Sequence, residues 1–131
     1  MNLSNHRVLI VEDEFIIATE LADIVRDAGA EVVGPALSAP QALRLIEIQD
    51  VTAAILDFRL GDHDSSTVAK RLEAAGIPFV FHTGNDDSEV LSKNWPRALI
   101  VKKPATPKAL LAALAAVTKR EAAGAAPPLD G

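Results

Sequence analysis

The chain has 131 residues, of which 49% are hydrophobic and 24% charged, and its 13 basic and 18 acidic residues give a formal net charge of −5. This size and composition predict one globular domain, and the acidic balance argues against a nucleic-acid surface, which needs clustered Lys and Arg. The absence of cysteine excludes a disulfide framework, a thiolate zinc site and a cysteine nucleophile. The start, MNLSNHR, lacks the apolar stretch of a signal peptide, and no apolar run reaches membrane-spanning length, so we expect a cytoplasmic protein.

Aliphatic runs alternate with segments of helical periodicity along the chain. Five aliphatic runs predict five strands, which in chain order are residues 7–11, 31–34, 53–58, 77–84 and 98–102. The first intervening helix ends at Gly29, the second begins with Ser38 as its side-chain cap, and the third ends at Gly76. The polar segment 86–94 predicts a short, weak helix, and Thr106 begins a strong last helix.

The alternation of strands and helices predicts the architecture. Five strands separated by helices indicate an α/β fold with a parallel sheet and right-handed crossovers. The strands are aliphatic without clean alternation, as burial on both faces requires. Residues 121–131 are rich in alanine, proline and glycine, which predicts a disordered tail after a single domain at residues 1–120.

Polar residues stand at the carboxyl ends of four predicted strands. They are Glu12, Asp13, Asp57, Thr83, Lys102 and Lys103. In an open parallel sheet the ligand site lies at these ends, so we expect the three carboxylates to be close together. Clustered carboxylates either raise a pKa or bind a cation. Because the candidate ligands are hard oxygens, the sequence predicts a magnesium site completed by water.

Four short motifs carry a family resemblance: VEDE after the first strand, LDFRLG around Asp57, FHTG at Thr83 and KKP at Lys103. From residue 6 to the end of the predicted domain, the chain resembles the receiver domain of bacterial two-component response regulators. This resemblance implies a flavodoxin-like (βα)5 doubly wound sheet with strand order 2-1-3-4-5. PFVFHTG is also similar to the P-F-x-F-x-T-G signature of a subgroup of stand-alone receivers.

The resemblance implies a set of metal ligands around the phosphoacceptor. Asp57 would accept the phosphoryl group and, with Asp13, would bind Mg²⁺ directly. Glu12 would hold one of the metal's waters. The backbone carbonyl of Arg59 would complete the protein ligands, which leaves that side chain free to vary.

Two further residues are implied to contact the phosphoryl group. Thr83 would donate a hydrogen bond to one phosphoryl oxygen, and Lys103 would pair with another. The bond from Lys103 to Pro104 is usually cis in the family, as a following proline permits. We expect Lys102 to point to the other side of its strand.

The implied function is that of a stand-alone receiver. It would take a phosphoryl group from a sensor histidine kinase or a phosphotransfer protein and would signal by changing protein–protein binding. No enzyme activity is expected beyond self-catalysed phosphoryl acceptance and slow autodephosphorylation. The expected partners are proteins, with no nucleic acid and no membrane, and the expected state is a monomer or a weak dimer.

Other functions are open at this stage. A degenerate receiver would act as a phosphorylation-independent interaction module, although every residue of the phosphorylation set is present. A phosphatase with an aspartyl nucleophile would need a second Asp two residues after Asp57, where this chain has Arg59. A flavodoxin would need a phosphate-binding loop after the first strand, and the acidic residues there would repel a phosphate.

Some positions depart from the family pattern. Ile100 stands three residues before Lys103, where receivers usually carry Tyr or Phe, so we expect coupling through the weak fourth helix instead of an aromatic switch. Ser65 replaces a glycine that is common eight residues after the phosphoacceptor. Arg59 and Asn85 are expected to flank the path of an attacking water and to set the phosphoryl lifetime.

The remaining histidines and the tryptophan receive simpler interpretations. We interpret His82 and Trp95 as packing residues and His63 as part of a solvated loop.

Residues 84–97 contain few apolar side chains. The free energy gained by burying them is small compared with the backbone entropy lost when the segment becomes ordered. The segment is therefore predicted to be mobile before phosphorylation and to become ordered after it.

Overall fold

The computed structural model of the protein describes residues 3–125, without the side chains of Asn85 and of residues 120–125. In chain order its strands are β1 (Arg7–Val11), β2 (Glu31–Ala36), β3 (Ala53–Leu56), β4 (Arg59–Leu60), β5 (His63–Asp64), β6 (Phe79–Thr83) and β7 (Leu99–Lys102). Its helices are α1 (Phe15–Asp27), α2 (Ala39–Ile48), α3 (Ser66–Ala74), α4 (Asn85–Asn94) and α5 (Pro107–Ala125). No helix within residues 3–125 is long and apolar enough to cross a membrane.

The main sheet is parallel and has the predicted strand order. Strands β2, β1, β3, β6 and β7 lie side by side in that sequence. Counted without the separate hairpin of β4 and β5, this is the order 2-1-3-4-5, which confirms the flavodoxin-like (βα)5 fold. Because the strands are all parallel, their carboxyl ends share one edge of the sheet.

Each face of the sheet is covered by its own hydrophobic core, because successive side chains of a strand point to opposite faces. In β1, Leu9 and Val11 belong to one core, which is completed by residues of α2, α3 and α4. Val8 and Ile10 belong to the other core, which is completed by residues of α1 and α5. This burial on both faces explains why the strands read as unbroken aliphatic runs.

Strand β2 continues through Pro35 to Ala36, so its predicted end at residue 34 is wrong. The pairing with β1 shifts after Leu9, and the irregularity falls at Gly34. Gly34 has a φ of 91°, and a Cβ there would lie 2.6 Å from the backbone nitrogen of Ala36, so the bend requires glycine. Because β2 is an edge strand, Pro35 can lack an N–H without breaking the hydrogen bonds between strands.

The end of β2 also positions the first residue after β1. The Glu12 N–H donates to the Ala36 carbonyl at 3.0 Å, which fixes the backbone of Glu12.

Several element boundaries differ from the prediction. The strand predicted at residues 53–58 ends at Leu56, and β4 and β5 form a short antiparallel hairpin soon after it. Each hairpin strand has two residues, which is too short to show a period in the sequence. Helix α5 ends at Ala125, beyond the domain end predicted at residue 120. Residues 126–131 of the predicted tail lie outside the described residues.

Helix α4 contacts the sheet through few apolar side chains. Leu91 is completely buried in the core, whereas Val90 is 44% exposed. Trp95, directly after the helix, packs edge-on against Phe79 and Phe81, with ring centroids 6.3 and 6.1 Å apart. This contact agrees with the packing role predicted for Trp95.

The substitution Leu91→Ala should lower the free energy of unfolding by about 2–5 kcal/mol, because it leaves a cavity beneath α4. The adjacent substitution Val90→Ala removes a partly exposed side chain and should cost less than about 1 kcal/mol. Urea unfolding of the two variants beside the parent measures both values. Equal losses would show that Leu91 is not the anchor of α4.

Candidate functional site

Three carboxylates meet at the carboxyl edge of the sheet. Glu12 and Asp13 follow β1, and Asp57 follows the neighbouring strand β3. One carboxylate oxygen of each lies within 4.8 Å of the other two. Glu12 is completely buried and Asp57 is 6% exposed, so water screens their repulsion poorly. The structure thus brings together the three acids from which the sequence predicts a magnesium site.

Lys103 places a positive charge between two of these acids. Its Nζ lies 2.9 Å from Oδ2 of Asp57 and 2.9 Å from Oε1 of Glu12. Burial alone would lower the pKa of Lys103, but the contacts with Asp57 and Glu12 outweigh it and raise the pKa, which keeps the ammonium charged. The backbone N–H of Lys103 donates to the Thr83 carbonyl at 2.8 Å, and the peptide bond to Pro104 is cis.

Glu12 has the most strongly perturbed carboxyl of the site. Burial raises the pKa of Glu12 from 4.5 to about 7, and the nearby charge of Asp57 adds to the rise. The contact with Lys103 and the 3.1 Å hydrogen bond from the Glu14 N–H to Oε2 oppose it. Lys103 therefore does not fully offset the cost of ionising this buried acid. A cation at the cluster would favour the ionised form.

Asp13 is tied to the hairpin that follows Asp57. Its Oδ2 accepts the N–H of Gly61, in the turn between β4 and β5, at 2.9 Å. Gly61 has a φ of 65°, in the left-handed region that favours glycine. Arg59 lies in β4, so the bond to Asp13 steadies the hairpin that carries the predicted backbone ligand.

Thr83 and Arg59 contact an acid that the sequence did not point to. Thr83 is completely buried, and its hydroxyl donates to Oδ2 of Asp87 at 3.4 Å. Nε of Arg59 donates to Oδ1 of the same carboxylate at 2.8 Å. Asp87 was missed because it follows no strand and reads as one of two acids in the first turn of a polar helix.

Other residues singled out in the sequence lie around this site. His82 is buried and lines a cavity of about 150 Å³ with Leu21 of α1 and Leu110 of α5. Burial lowers the pKa of the His82 imidazole, which keeps the ring neutral and agrees with a packing role. Lys102 is exposed at the end of β7. His63 is exposed as expected, but it lies in β5 and not in a loop.

The structure also shows the surroundings of Ser65 and Ile100, two positions that depart from the family pattern. Ser65 precedes α3 and is completely buried, its N–H donates to the Phe58 carbonyl, and its Oγ has no hydrogen-bond partner among the described residues. Ile100 is half-buried against the core that contains Leu91. The side chain of Asn85 lies outside the described residues, so its predicted role stays a prediction.

Two large apolar residues stand exposed directly beyond the acids. Phe15 and Ile16 begin α1 and are 72% and 73% exposed. The next residue, Ile17, packs against the core instead. An exposed apolar pair beside a charged site is a candidate contact for another protein.

The fold is that of a receiver, and the chain belongs to the response regulator receiver domain family. The family model of the response regulator receiver domain matches residues 8–115. Members of this family are components of two-component signal transduction. Family and fold therefore agree with the resemblance found in the sequence motifs.

Individual relatives support the same assignment. The chain is 31% identical over 88 residues to the transcriptional regulatory protein PdtaR of Mycobacterium tuberculosis, and this match covers 66% of the chain and 43% of PdtaR. The chain spans about half the length of the curated relatives that it matches.

Solved structures extend the comparison. The crystal structure of the response regulator PhyR from Brucella abortus has a TM-score of 0.80 and 30% identity over 91% of this chain and 50% of that one. The solution structure of SdrG from Sphingomonas melonis Fr1 has a TM-score of 0.71 and 38% identity over 84% of this chain and 96% of that one.

The substitution Asp13→Asn should raise the free energy of unfolding of the metal-free protein by about 1 kcal/mol, because it removes one of three neighbouring negative charges and keeps an oxygen for the Gly61 N–H. Saturating Mg²⁺ should stabilise the parent and leave the variant nearly unchanged. Urea unfolding with and without Mg²⁺ measures both effects. Asp50→Asn, which neutralises an exposed acid outside the cluster, serves as the control. If Mg²⁺ stabilises Asp13→Asn as much as the parent, the metal site is misassigned.

Proposed function

We propose that this protein is a cytoplasmic receiver that accepts a phosphoryl group on Asp57, with Mg²⁺, from a histidine kinase or a phosphotransfer protein. The observation that carries the proposal is the position of Asp57, which lies 2.9 Å from the ammonium of Lys103 and has a carboxylate oxygen within 4.8 Å of oxygens of Glu12 and Asp13. Phosphorylation would change which proteins the domain binds. Each transfer leaves the protein itself modified, so the domain is a signalling protein and not an enzyme.

The donor set fits Mg²⁺. Oxygens of Glu12, Asp13 and Asp57 lie within 4.8 Å of one another, and three carboxylates outweigh the single charge of Lys103. Hard oxygen ligands with room for water suit this cation. Asp13, Asp57 and the backbone carbonyl of Arg59 would hold it directly, and Glu12 would hold it through a water. When bound, Mg²⁺ supplies positive charge that reduces the repulsion between Asp57 and the incoming phosphoryl group.

Asp57, Lys103 and Thr83 have different roles in the phosphoryl transfer. A carboxylate oxygen of Asp57 attacks phosphorus, the P–N bond to the donor imidazole breaks, and its electron pair stays on that nitrogen. The ammonium of Lys103, 2.9 Å from Asp57, pairs with a phosphoryl oxygen as negative charge moves onto the site. The Thr83 hydroxyl donates to a second oxygen.

Phe15 and Ile16 are the proposed contact for the phosphodonor protein. They stand exposed directly after Glu12, Asp13 and Glu14, so a donor that brings its imidazole to Asp57 would meet them. The description of one similar solved structure supports signalling through another protein. PhyR of Bartonella quintana, described as an anti-anti-sigma factor, has a TM-score of 0.76 and 26% identity to this chain.

Radiolabelled acetyl phosphate with Mg²⁺ should label the parent with acid-labile phosphate and should leave Asp57→Asn unlabelled. Lys103→Ala should be labelled at least about 10-fold more slowly than the parent, because it loses one charged contact to the phosphoryl oxygens. Label retained by Asp57→Asn would refute the assignment of the phosphoacceptor.

The double substitution of Phe15 and Ile16 by serine should slow phosphotransfer from a cognate kinase by about 10-fold or more, because apolar contacts at the centre of an interface carry much of the binding energy. Labelling by acetyl phosphate, which needs no protein contact, should stay within about two-fold. Ile48→Ser, which changes an apolar side chain 62% exposed at the end of α2, is the matched control. Equal slowing by Ile48→Ser would remove the case for a docking surface at α1.

A further inference from the structure

The carboxylate of Asp87 contacts Arg59 at the start of β4 and Thr83 at the end of β6. Asp87 is the third residue of α4 and is 5% exposed. Its Oδ1 accepts from Nε of Arg59, two residues after Asp57, and its Oδ2 accepts from the hydroxyl of Thr83, the last residue of β6. A single side chain therefore links β4, which begins two residues after Asp57, with the hydroxyl expected to bind phosphate and with the first turn of α4.

The two contacts of Asp87 differ in strength. The 2.8 Å contact with Arg59 joins opposite charges, with the Asp87 side chain 7% exposed and the Arg59 side chain 68% exposed. The 3.4 Å contact with Thr83 exceeds the usual O–H···O range of about 2.5–3.0 Å, so it holds the hydroxyl loosely. A phosphoryl oxygen on Asp57 is a charged acceptor that can compete for this proton, and of the two contacts of Asp87 the longer one, with Thr83, is the easier to break.

We propose that Asp87 is a positioning residue that holds the Thr83 hydroxyl until a phosphoryl group on Asp57 takes it, and that passes this change to α4. The inference rests on the proposed phosphorylation of Asp57. When Thr83 turns to the phosphoryl group, the first turn of α4 keeps its contact with Arg59 and loses its contact with the end of β6. This route needs no aromatic side chain at Ile100, which is apolar and half-buried.

Beryllofluoride, a phosphoryl analogue, added with Mg²⁺ tests the proposal without a kinase. In Asp87→Ala the Thr83 hydroxyl has no competing acceptor, so the affinity for beryllofluoride should rise about 2- to 5-fold. The change in amide chemical shifts of α4 on adding the analogue should fall by about half or more, because the link to Asp87 is gone. Asp86→Ala removes an exposed acid from the same turn and should match the parent in both measurements.

A second pair of variants separates positioning from simple support of the fold. In a Thr83→Val background, Asp87→Ala should no longer raise the affinity for beryllofluoride, because there is no hydroxyl to release. A merely structural Asp87 would lower the affinity in both backgrounds. Asp87→Asn keeps the shape of the side chain and should shift the affinity in the same direction, which preserves the test if Asp87→Ala does not fold.

The outcomes distinguish the two proposals. A parent protein that does not bind beryllofluoride with Mg²⁺ would overturn both the proposed function and this inference. A parent that binds it, with Asp87→Ala behaving like Asp86→Ala, would overturn the inference alone. The same holds if the effect of Asp87→Ala persists in the Thr83→Val background.

Discussion

The contacts of Lys103 hold together a group of charges that would otherwise repel. Glu12 and Asp57, which water hardly reaches, lie 2.9 Å from the same ammonium group. Two such carboxylates about 4 Å apart repel by about 4 kcal/mol at an effective dielectric near 20. Removing one partner of a buried ion pair is costly because the remaining charge is left uncompensated. The carboxyl edge is therefore a balance of charges, and any added cation or phosphoryl group must change that balance.

The parallel sheet makes this balance possible because it takes the charges from separate strands. Asp57 follows β3 and Lys103 follows β7, with β6 between them in the sheet. At the usual strand spacing, β3 and β7 are about 10 Å apart, a distance that the long stem of lysine helps to span. The bond from the Lys103 N–H to the Thr83 carbonyl sets the direction from which the stem starts. On the other side of Asp57, the bond across the β2 irregularity fixes the backbone of Glu12.

The residues at the carboxyl ends of the strands could be predicted from the sequence because each directly follows an aliphatic run. Parallel pairing then brings these strand ends together. The sequence did not allow prediction of contacts that depend on tertiary structure alone. Arg59 and Asp87 are 28 residues apart, and the pairing of their side chains depends on where α4 packs. Pro35 can lie inside β2 because β2 is the outermost strand of the sheet. The local sequence does not show which strand will be outermost. The hairpin around Gly61 is too short to have a hydrophobic period.

Helix α4 combines an apolar anchor with a polar contact one turn away. Leu91 follows Asp87 by four residues, so both side chains lie on the same face of the helix. Leu91 packs in the core, whereas the partners of Asp87 are Arg59, at the start of β4, and Thr83, at the end of β6. On the proposed route, a phosphoryl group would rearrange the first turn of α4 while Leu91 stays buried. The free energy needed to rearrange this turn is then about that of one hydrogen bond, near 1 kcal/mol. Exposing the Leu91 side chain would need several kcal/mol. On this route, a change of charge at Asp57 would alter the surface of α4 while the core contacts of Leu91 stay in place.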